Sequence, residues 1–344
     1  MKKQIRLGAI GLGRAGYGMH LKELEGKEDM FTYSAVCDID PERLGWMTEK
    51  YPECKTYSCA EDLVEDPDVD VVIVSTRSCD HFKHAKTALE AGKLVFLEKP
   101  MALTYEEAKL LIDLAEKTGE RRLFVRHNRR FEARFMQVNK IIGSGILGDV
   151  YLIRRNQDGF DYRRDWQTLS QYGGGQLLNW GPHIIDQSLR FCGGDYKRMY
   201  SDIKQVICAG DCEDYVRVIF EGINGRTVEM EISGATALPQ PDYVVYGTRG
   251  ALVSNGKTFT LKYLPEDFQA EGVVASTKTP EGAKFGKAIE TPFVTEEIEW
   301  EDNPLDHTWT YLYEAIREGK DYPIKSEEAL KVMEVISAIK EQNK

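Results

Sequence analysis

"IRLGAIGLGRAG", residues 5–16, opens on an apolar run and closes on three glycines at positions 11, 13 and 16. The run reads as a buried strand, and "GYGMHLKELEG" (16–26) reads as the helix that follows. Glycines in this spacing between strand and helix suit a turn that meets a pyrophosphate. The first permits the tight turn, the second lets backbone approach the phosphates, and the third lets helix and strand pack closely. The helix N-terminus adds N–H groups and positive dipole. Asp38 stands 22 residues after Gly16, at the end of the next strand, where a carboxylate accepts from a ribose 2′-hydroxyl and repels a 2′-phosphate. Gly11, Gly13, Arg14, Ala15, Gly16 and Asp38 are therefore the expected contacts of a dinucleotide, with NAD favoured over NADP.

Outward from that turn, strand and helix alternate. "YSAVCD" (33–38), "VDVVIVST" (69–76), "KLVFLEK" (93–99) and "RLFVR" (122–126) read as strands. Helical patterns lie between them, the last over 104–119 with a Thr104–Glu107 capping box and a stop at Gly119. The alternation predicts a doubly wound parallel sheet over residues 1–126. From about residue 150 longer alternating runs appear, "DYVRVIFEG" and "TVEMEISG" joined by the hairpin signal Asn224-Gly225, then "YVVYGTRGALVS". They predict an α+β domain over 127–344 with a large, open, mainly antiparallel sheet. Residues 265–303 read as surface loops, and two helices close the chain near 305–318 and 326–341.

The chain has 344 residues, 42% apolar and 29% charged, with a formal charge of −11. That charge speaks against nucleic acid or an anionic membrane as partner. The basic stretch 121–130 is either an anion patch or a solvated, salt-bridged surface. Seven cysteines without a CxxC pair suit neither a disulfide framework nor a zinc site, so no metal is expected and the thiols read as those of a cytoplasmic chain. No stretch approaches the ~20 apolar residues of a membrane span.

Two further motifs carry chemistry. "LVFLEKP" (94–100) ends a strand on Glu98 and Lys99, and ligands of such sheets sit outside the carboxyl ends of strands. Lys99 is either delivered to the nicotinamide side or is a solvated strand-end lysine. "GGGQLLNWGPHIIDQ" (173–187) reads as a helix on which Asn179, His183, Asp186 and Arg190 form one polar stripe. Leu178, Ile185, Leu189 and Cys192 form an apolar one beside it. Pro182 should remove a helix hydrogen bond and kink the helix near His183. Arg163, Arg164, Asp165 and Trp166 either shape a pocket or lie on a surface loop.

"GLGRAGYGMH", "EKP" and "GGGQLLNWGPHIID" together resemble the Gfo/Idh/MocA family of NAD(P)-dependent sugar and polyol oxidoreductases. The likeness extends to "HAKTALEAGKLVFLEKPMALTYEEA", "NRRF" and "YGTRGAL". It implies a catalytic Lys99, a substrate-facing pair at Asn179 and His183, and cofactor contacts at Ser75, Thr76, His81, Glu98 and Lys99. It also implies substrate contacts at Asn128, Arg130 and Trp166, and a homodimer or homotetramer paired through the second domain's sheet. Under it, His183 takes the hydroxyl proton while Lys99 holds the reacting oxygen. Two departures stand out: Asn179 where the family commonly has Asp, and Arg77-Ser78 in "STRSCDH" where Pro-Asn is frequent. The expected activity is dehydrogenation of a sugar, glycoside or cyclitol. An NAD-retaining redox glycosidase and a non-catalytic sugar or dinucleotide sensor are the competing readings.

Overall fold

A computed structural model describes residues 4–118, 122–270, 272, 291–303 and 305–344. Gly119 and, within 265–303, residues 271 and 273–290 lie outside the described residues.

The first domain is a six-stranded parallel sheet in the order β3-β2-β1-β4-β5-β6. Its strands are β1 (Ile5–Ile10), β2 (Phe31–Cys37), β3 (Lys55–Tyr57), β4 (Val71–Val74), β5 (Leu94–Leu97) and β6 (Leu123–Val125). β4 is buried at every position, as a strand covered by helices on both faces must be. The helices are α1 (Leu21–Glu23), wound on from a π-helical turn at Arg14–His20, α2 (Pro41–Lys50), α3 (Ala60–Glu65), α4 (His81–Glu90) and α5 (Tyr105–Thr118). β3 and α3 were not anticipated: three residues of partly exposed strand and six of helix give too short a periodicity to read.

The second domain carries an eight-stranded sheet in the order β14-β13-β12-β11-β7-β10-β9-β8. It is built from β7 (Val150–Asp158), β8 (Tyr196–Lys204), β9 (Tyr215–Gly222), β10 (Thr227–Ser233), β11 (Tyr243–Gly247), β12 (Gly250–Asn255), β13 (Thr258–Tyr263) and β14 (Val294–Glu299). Every neighbouring pair is antiparallel except β7 with β10. β14 corrects the expectation of loops over 265–303. It is an exposed edge strand of Thr and Glu, so no buried face marks it in the sequence.

Alternation turns Val216, Val218, Phe220, Val228, Met230 and Ile232 inward, under α6 (Ala133–Gly143), α8 (Gly181–Phe191) and α10 (Ser326–Gln342). The outer face carries charge, with Arg154 and Arg217 on Glu229 and Arg198 on Glu221. α9 (His307–Glu318) returns to the first domain, where Trp309 and Leu312 are buried among Ile5, Leu7, Phe31 and Phe96. The last part of the chain thus packs against both domains, α9 on the first and α10 on helices of each.

Candidate active site

The glycine turn is set by its own backbone. Gly11 has φ +91°, and a Cβ there would press on the Ser75 carbonyl at 2.9 Å. A Cβ on Gly16 would fall on the carbonyl oxygen of Gly11. On Gly13 it would meet nothing within 4 Å. Two glycines let the turn close and the third leaves an open face beside the unpaired N–H groups of the following helical turn. Asp38 is 6% exposed; its Oδ2 accepts from Leu12 N at 2.7 Å and its Oδ1 from Asp40 N at 2.9 Å. The carboxylate is thereby fixed against the glycine turn, with Arg43 at 3.5 Å. The open Gly13 face and the anchored Asp38 fit a dinucleotide. Arg14 is exposed at the head of the turn, with Ala15 beside it.

The structure gives Ser75 and His81 bracing positions. Ser75 Oγ donates to Gly11 O at 2.8 Å, holding the turn from behind. His81 is buried and joins two loops, with Nδ1 2.7 Å from Pro100 O and Nε2 3.3 Å from Thr76 O. Thr76 packs its methyl against the Gly11 turn. Arg77 faces the second domain, its guanidinium 4.6 Å from the Tyr172 ring centre.

Beyond β5, Glu98 is buried and its Oε1 meets His20 Nε2 at 2.7 Å and Arg126 at 2.8 Å. Arg126 also clasps both oxygens of Glu23 at 2.6 Å, and Trp309 Nε1 donates to Glu23 at 2.9 Å. Burial pushes the Glu98 carboxyl up, but Arg126 and His20 outweigh it and hold the group well below the usual range. The adjacent Lys99 Nζ donates to the backbone carbonyl of Asn179 at 2.8 Å. Burial lowers this amine to about 8; Glu98 opposes the shift, while Arg129, Arg126 and Arg14 reinforce it.

The quoted helix is two helices, which corrects the continuous polar stripe. α7 (Gln176–Asn179) ends before Trp180, and α8 begins at Gly181 with Pro182 inside its first turn. The break has a local cause. His183 N and Ile184 N both bond to Trp180 O, and Pro182 has no N–H, so the Asn179 carbonyl is left for Lys99. The Asn179 side chain turns aside, accepting from Gln167 Nε2 at 3.3 Å. His183 is 6% exposed, with its ring 6.1 Å from Trp180 and 6.5 Å from His127. Burial first, then Lys99, Arg129 and His127, hold its imidazole well below the usual histidine range.

The rest of the stripe faces protein. Arg130 Nε donates to Asp186 at 3.0 Å and its other nitrogens engage Asp186 and Glu328, while Arg190 reaches Glu328 at 2.7 Å. These ion pairs tie α8 to α10 and to the turn at Asn128–Phe131, so Arg130 has its donors occupied within the protein. Asn128 is buried in that turn. Trp166 is half-buried on the turn Trp166–Thr168, next to a recess lined by Asp161, Arg163, Gln167, Gln176, Asn179 and Glu213.

Sequence reasoning missed Arg129, His127 and Gln167. Arg129 stacks on Trp180 at 4.3 Å and pairs with Glu132 at 3.1 Å, which places a second cation beside Lys99. "NRRF" offered two arginines, and nothing in their spacing said which one faced the cleft. All seven cysteines are free. Among the described residues no cluster of three or more His, Cys, Asp or Glu could hold a metal ion, and no helix is long and apolar enough to cross a membrane.

A Rossmann sheet with an open glycine turn, joined to a domain whose Asn179 carbonyl takes a strand-end lysine four residues before a buried His183, defines a dinucleotide-dependent oxidoreductase. Two family profiles match: "Oxidoreductase family, NAD-binding Rossmann fold" over residues 5–127 and "GFO/IDH/MocA C-terminal domain" over 135–253. The chain belongs to the GFO/IDH/MocA family, and its first domain binds NAD(P). It is similar to the scyllo-inositol 2-dehydrogenase (NADP(+)) IolW of Bacillus subtilis, 26% identical across 99% of this chain and 94% of the relative. It also resembles the Thermotoga maritima myo-inositol 2-dehydrogenase, 29% identical across 62% of this chain and 64% of that one. Among solved structures, an NAD-binding protein from Listeria innocua superposes with a TM-score of 0.81 at 22% identity, covering 99% of this chain and 95% of that one. That last likeness concerns the fold.

Proposed function

We propose that the protein oxidises a secondary hydroxyl of a sugar, glycoside or cyclitol with NAD. The observation that carries this reading is the bond from Lys99 Nζ to the Asn179 carbonyl, which sets an amine of lowered basicity beside His183 at the carboxyl edge of the nucleotide sheet. Bound NAD supplies the hydride acceptor. Residues of this chain manage the proton. Lys99, its amine lowered to about 8, takes the hydroxyl proton from its deprotonated form, because a general base works best with a pKa close to the working pH. His183, held neutral by burial and by Lys99 and Arg129, is a poor proton acceptor and instead hydrogen-bonds the reacting oxygen. This exchanges the two roles expected from sequence. Asn179 supports it, since a neutral amide at this position supplies no negative charge to stabilise an imidazolium.

Arg129, Asn128 and the Trp166–Gln167 turn lie around the substrate in this reading, whereas Arg130 positions α8 through Asp186. The inositol dehydrogenases among the relatives support a polyol as the class. Asp38 supports NAD over NADP, and Asp38→Ser should narrow that preference by roughly tenfold in the ratio of Kd values, the scale of one lost charge repulsion. The chain pairs with a second copy through the outer face of the large sheet; a monomeric mass in light scattering at micromolar concentration would exclude this. A panel of cyclitols and sugars with NAD, followed by NADH absorbance, tests the activity. Net NADH formation supports a dehydrogenase; hydrolysis without it identifies a redox glycosidase.

A further inference from the structure

β6 and α8 bring a second imidazole against the first. His127 follows β6 at the carboxyl edge of the sheet, is 3% exposed, and sets its ring at 89° to that of His183. Nδ1 of each ring is buried with no hydrogen-bond partner among the described residues. An orphaned buried N–H is rarer in proteins than an orphaned lone pair. The lone pair therefore belongs on Nδ1 and the proton on Nε2 of both rings. Burial lowers His127 to about 4; Asp186 opposes the shift, and Arg130 and Lys99 reinforce it. Around pH 7 neither ring is charged. Each can offer a ligand one N–H donor, from Nε2.

Two perpendicular rings 6.5 Å apart, next to Lys99, match oxygens on neighbouring carbons better than one isolated hydroxyl. We infer that His127 binds substrate, donating from Nε2–H to a hydroxyl oxygen adjacent to the one that is oxidised. The inference rests on the polyol reading above and adds to it a contact to the neighbouring hydroxyl. A histidine that only filled space would need a partner for Nδ1 or a charge to justify its polarity, and among the described residues His127 has neither.

Tautomers are read directly from two-bond ¹H–¹⁵N spectra of the imidazoles in the intact protein. Both His127 and His183 should be Nε2–H tautomers at neutral pH, and both should shift when myo-inositol is added to the NAD-loaded protein. A proton on Nδ1 of His127, or a ring unmoved by a cyclitol that is turned over, overturns the proposal. Kinetics provide the second arm. His127→Phe should raise KM for myo-inositol or scyllo-inositol roughly tenfold, with kcat within about threefold, as loss of one ground-state hydrogen bond requires. His127→Gln places its amide nitrogen near the lost Nε2 and should recover most of the loss. His127→Asn mimics Nδ1 and should not. Calorimetric NAD binding in each variant reports whether the fold survives. Unchanged KM in a folded His127→Phe, or equal behaviour of Gln and Asn, sinks the His127 assignment alone. Failure of the unaltered protein to oxidise any cyclitol or sugar sinks the functional reading as well.

Discussion

Two glycine-led turns define this molecule, and they are braced in different ways. In Gly11–Gly16 the neighbours that exclude a side chain are the turn itself and Ser75 on the adjacent strand. In Gly173–Gly175 they come from both domains. A Cβ on Gly173 would meet Ser78 and Leu103 of the first domain, one on Gly174 the Gln167 backbone, and one on Gly175 the Glu213 carboxylate. The first turn is therefore complete within one domain, whereas the second meets the other domain at Gly173. Binding of the cofactor is a property of local backbone; placement of the substrate is a property of assembly. Each prediction below tests that division.

Lys99→Ala should have the largest effect. Removing the proton acceptor should lower kcat/KM for oxidation by roughly 10³- to 10⁴-fold, the upper range for general acid–base catalysis, while NAD affinity stays within a few-fold. Calorimetric NAD binding beside steady-state rates checks both halves. A tenfold or smaller loss of rate would move the base elsewhere, His183 being the next candidate.

Paired glycine substitutions come next. Gly16→Ala sets a Cβ onto the Gly11 carbonyl and should cost about 1–3 kcal/mol, with NAD binding at least tenfold weaker. Gly175→Ala, which meets the Glu213 side chain at φ +96°, should spare NAD binding and lower turnover through the displaced α7. If both variants lose NAD affinity equally, the two turns are not independent and the comparison fails.

The same division explains what could be read from sequence. "GLGRAG" was legible because its meaning lies in residue spacing: a turn, an open face and a close approach all follow from where side chains are absent. The parallel sheet was legible from apolar runs separated by helices, except β3 and α3, which are too short to show a period. The substrate side was legible only through resemblance. Lys99 and the Asn179 carbonyl are 80 residues apart, and their bond depends on a helix break that looked like a kink. Asp186 was read as facing the cleft from the stripe on α8, and Arg130 as a substrate contact through resemblance; nothing local showed that the two would pair with each other and with Glu328 of α10. His127 was invisible, since one histidine after a strand has no pattern.

A pH profile sharpens the assignment of the proton. Lys99 must be deprotonated to accept it, and its amine is lowered to about 8. Oxidation measured as kcat/KM should thus rise with pH, about tenfold per unit in the acid limb, and level off above about 8. A His183 base, held well below its usual range, would give a profile already flat between neutrality and pH 9. Asn179→Asp adds a carboxylate near the amine, favours its charged form, and should move the break upward by roughly one unit. A break that stays put would show the carboxylate to be directed only at Gln167.

The smallest effect is expected from Arg77→Ala, and it bears most directly on the border between the two turns. Resemblance to the family puts position 77 beside the cofactor, yet the guanidinium lies over Tyr172, the residue directly before the second glycine turn. The contact links the loop after β4 to the turn Ser170–Tyr172, so it belongs to assembly of the domains. An exposed cation–π pair contributes about 0.5–1 kcal/mol. Removing it should lower Tm by roughly 1–4 °C, given the ~2–4 °C per kcal/mol typical of larger domains. NAD affinity should stay within about twofold, because the lost energy is that of the stack. Tyr172→Ala should reproduce the thermal shift, and the double variant should add almost nothing further, as expected of two partners in one contact. NAD binding weakened tenfold by Arg77→Ala but untouched by Tyr172→Ala would place the guanidinium on the cofactor and assign this residue to the first turn.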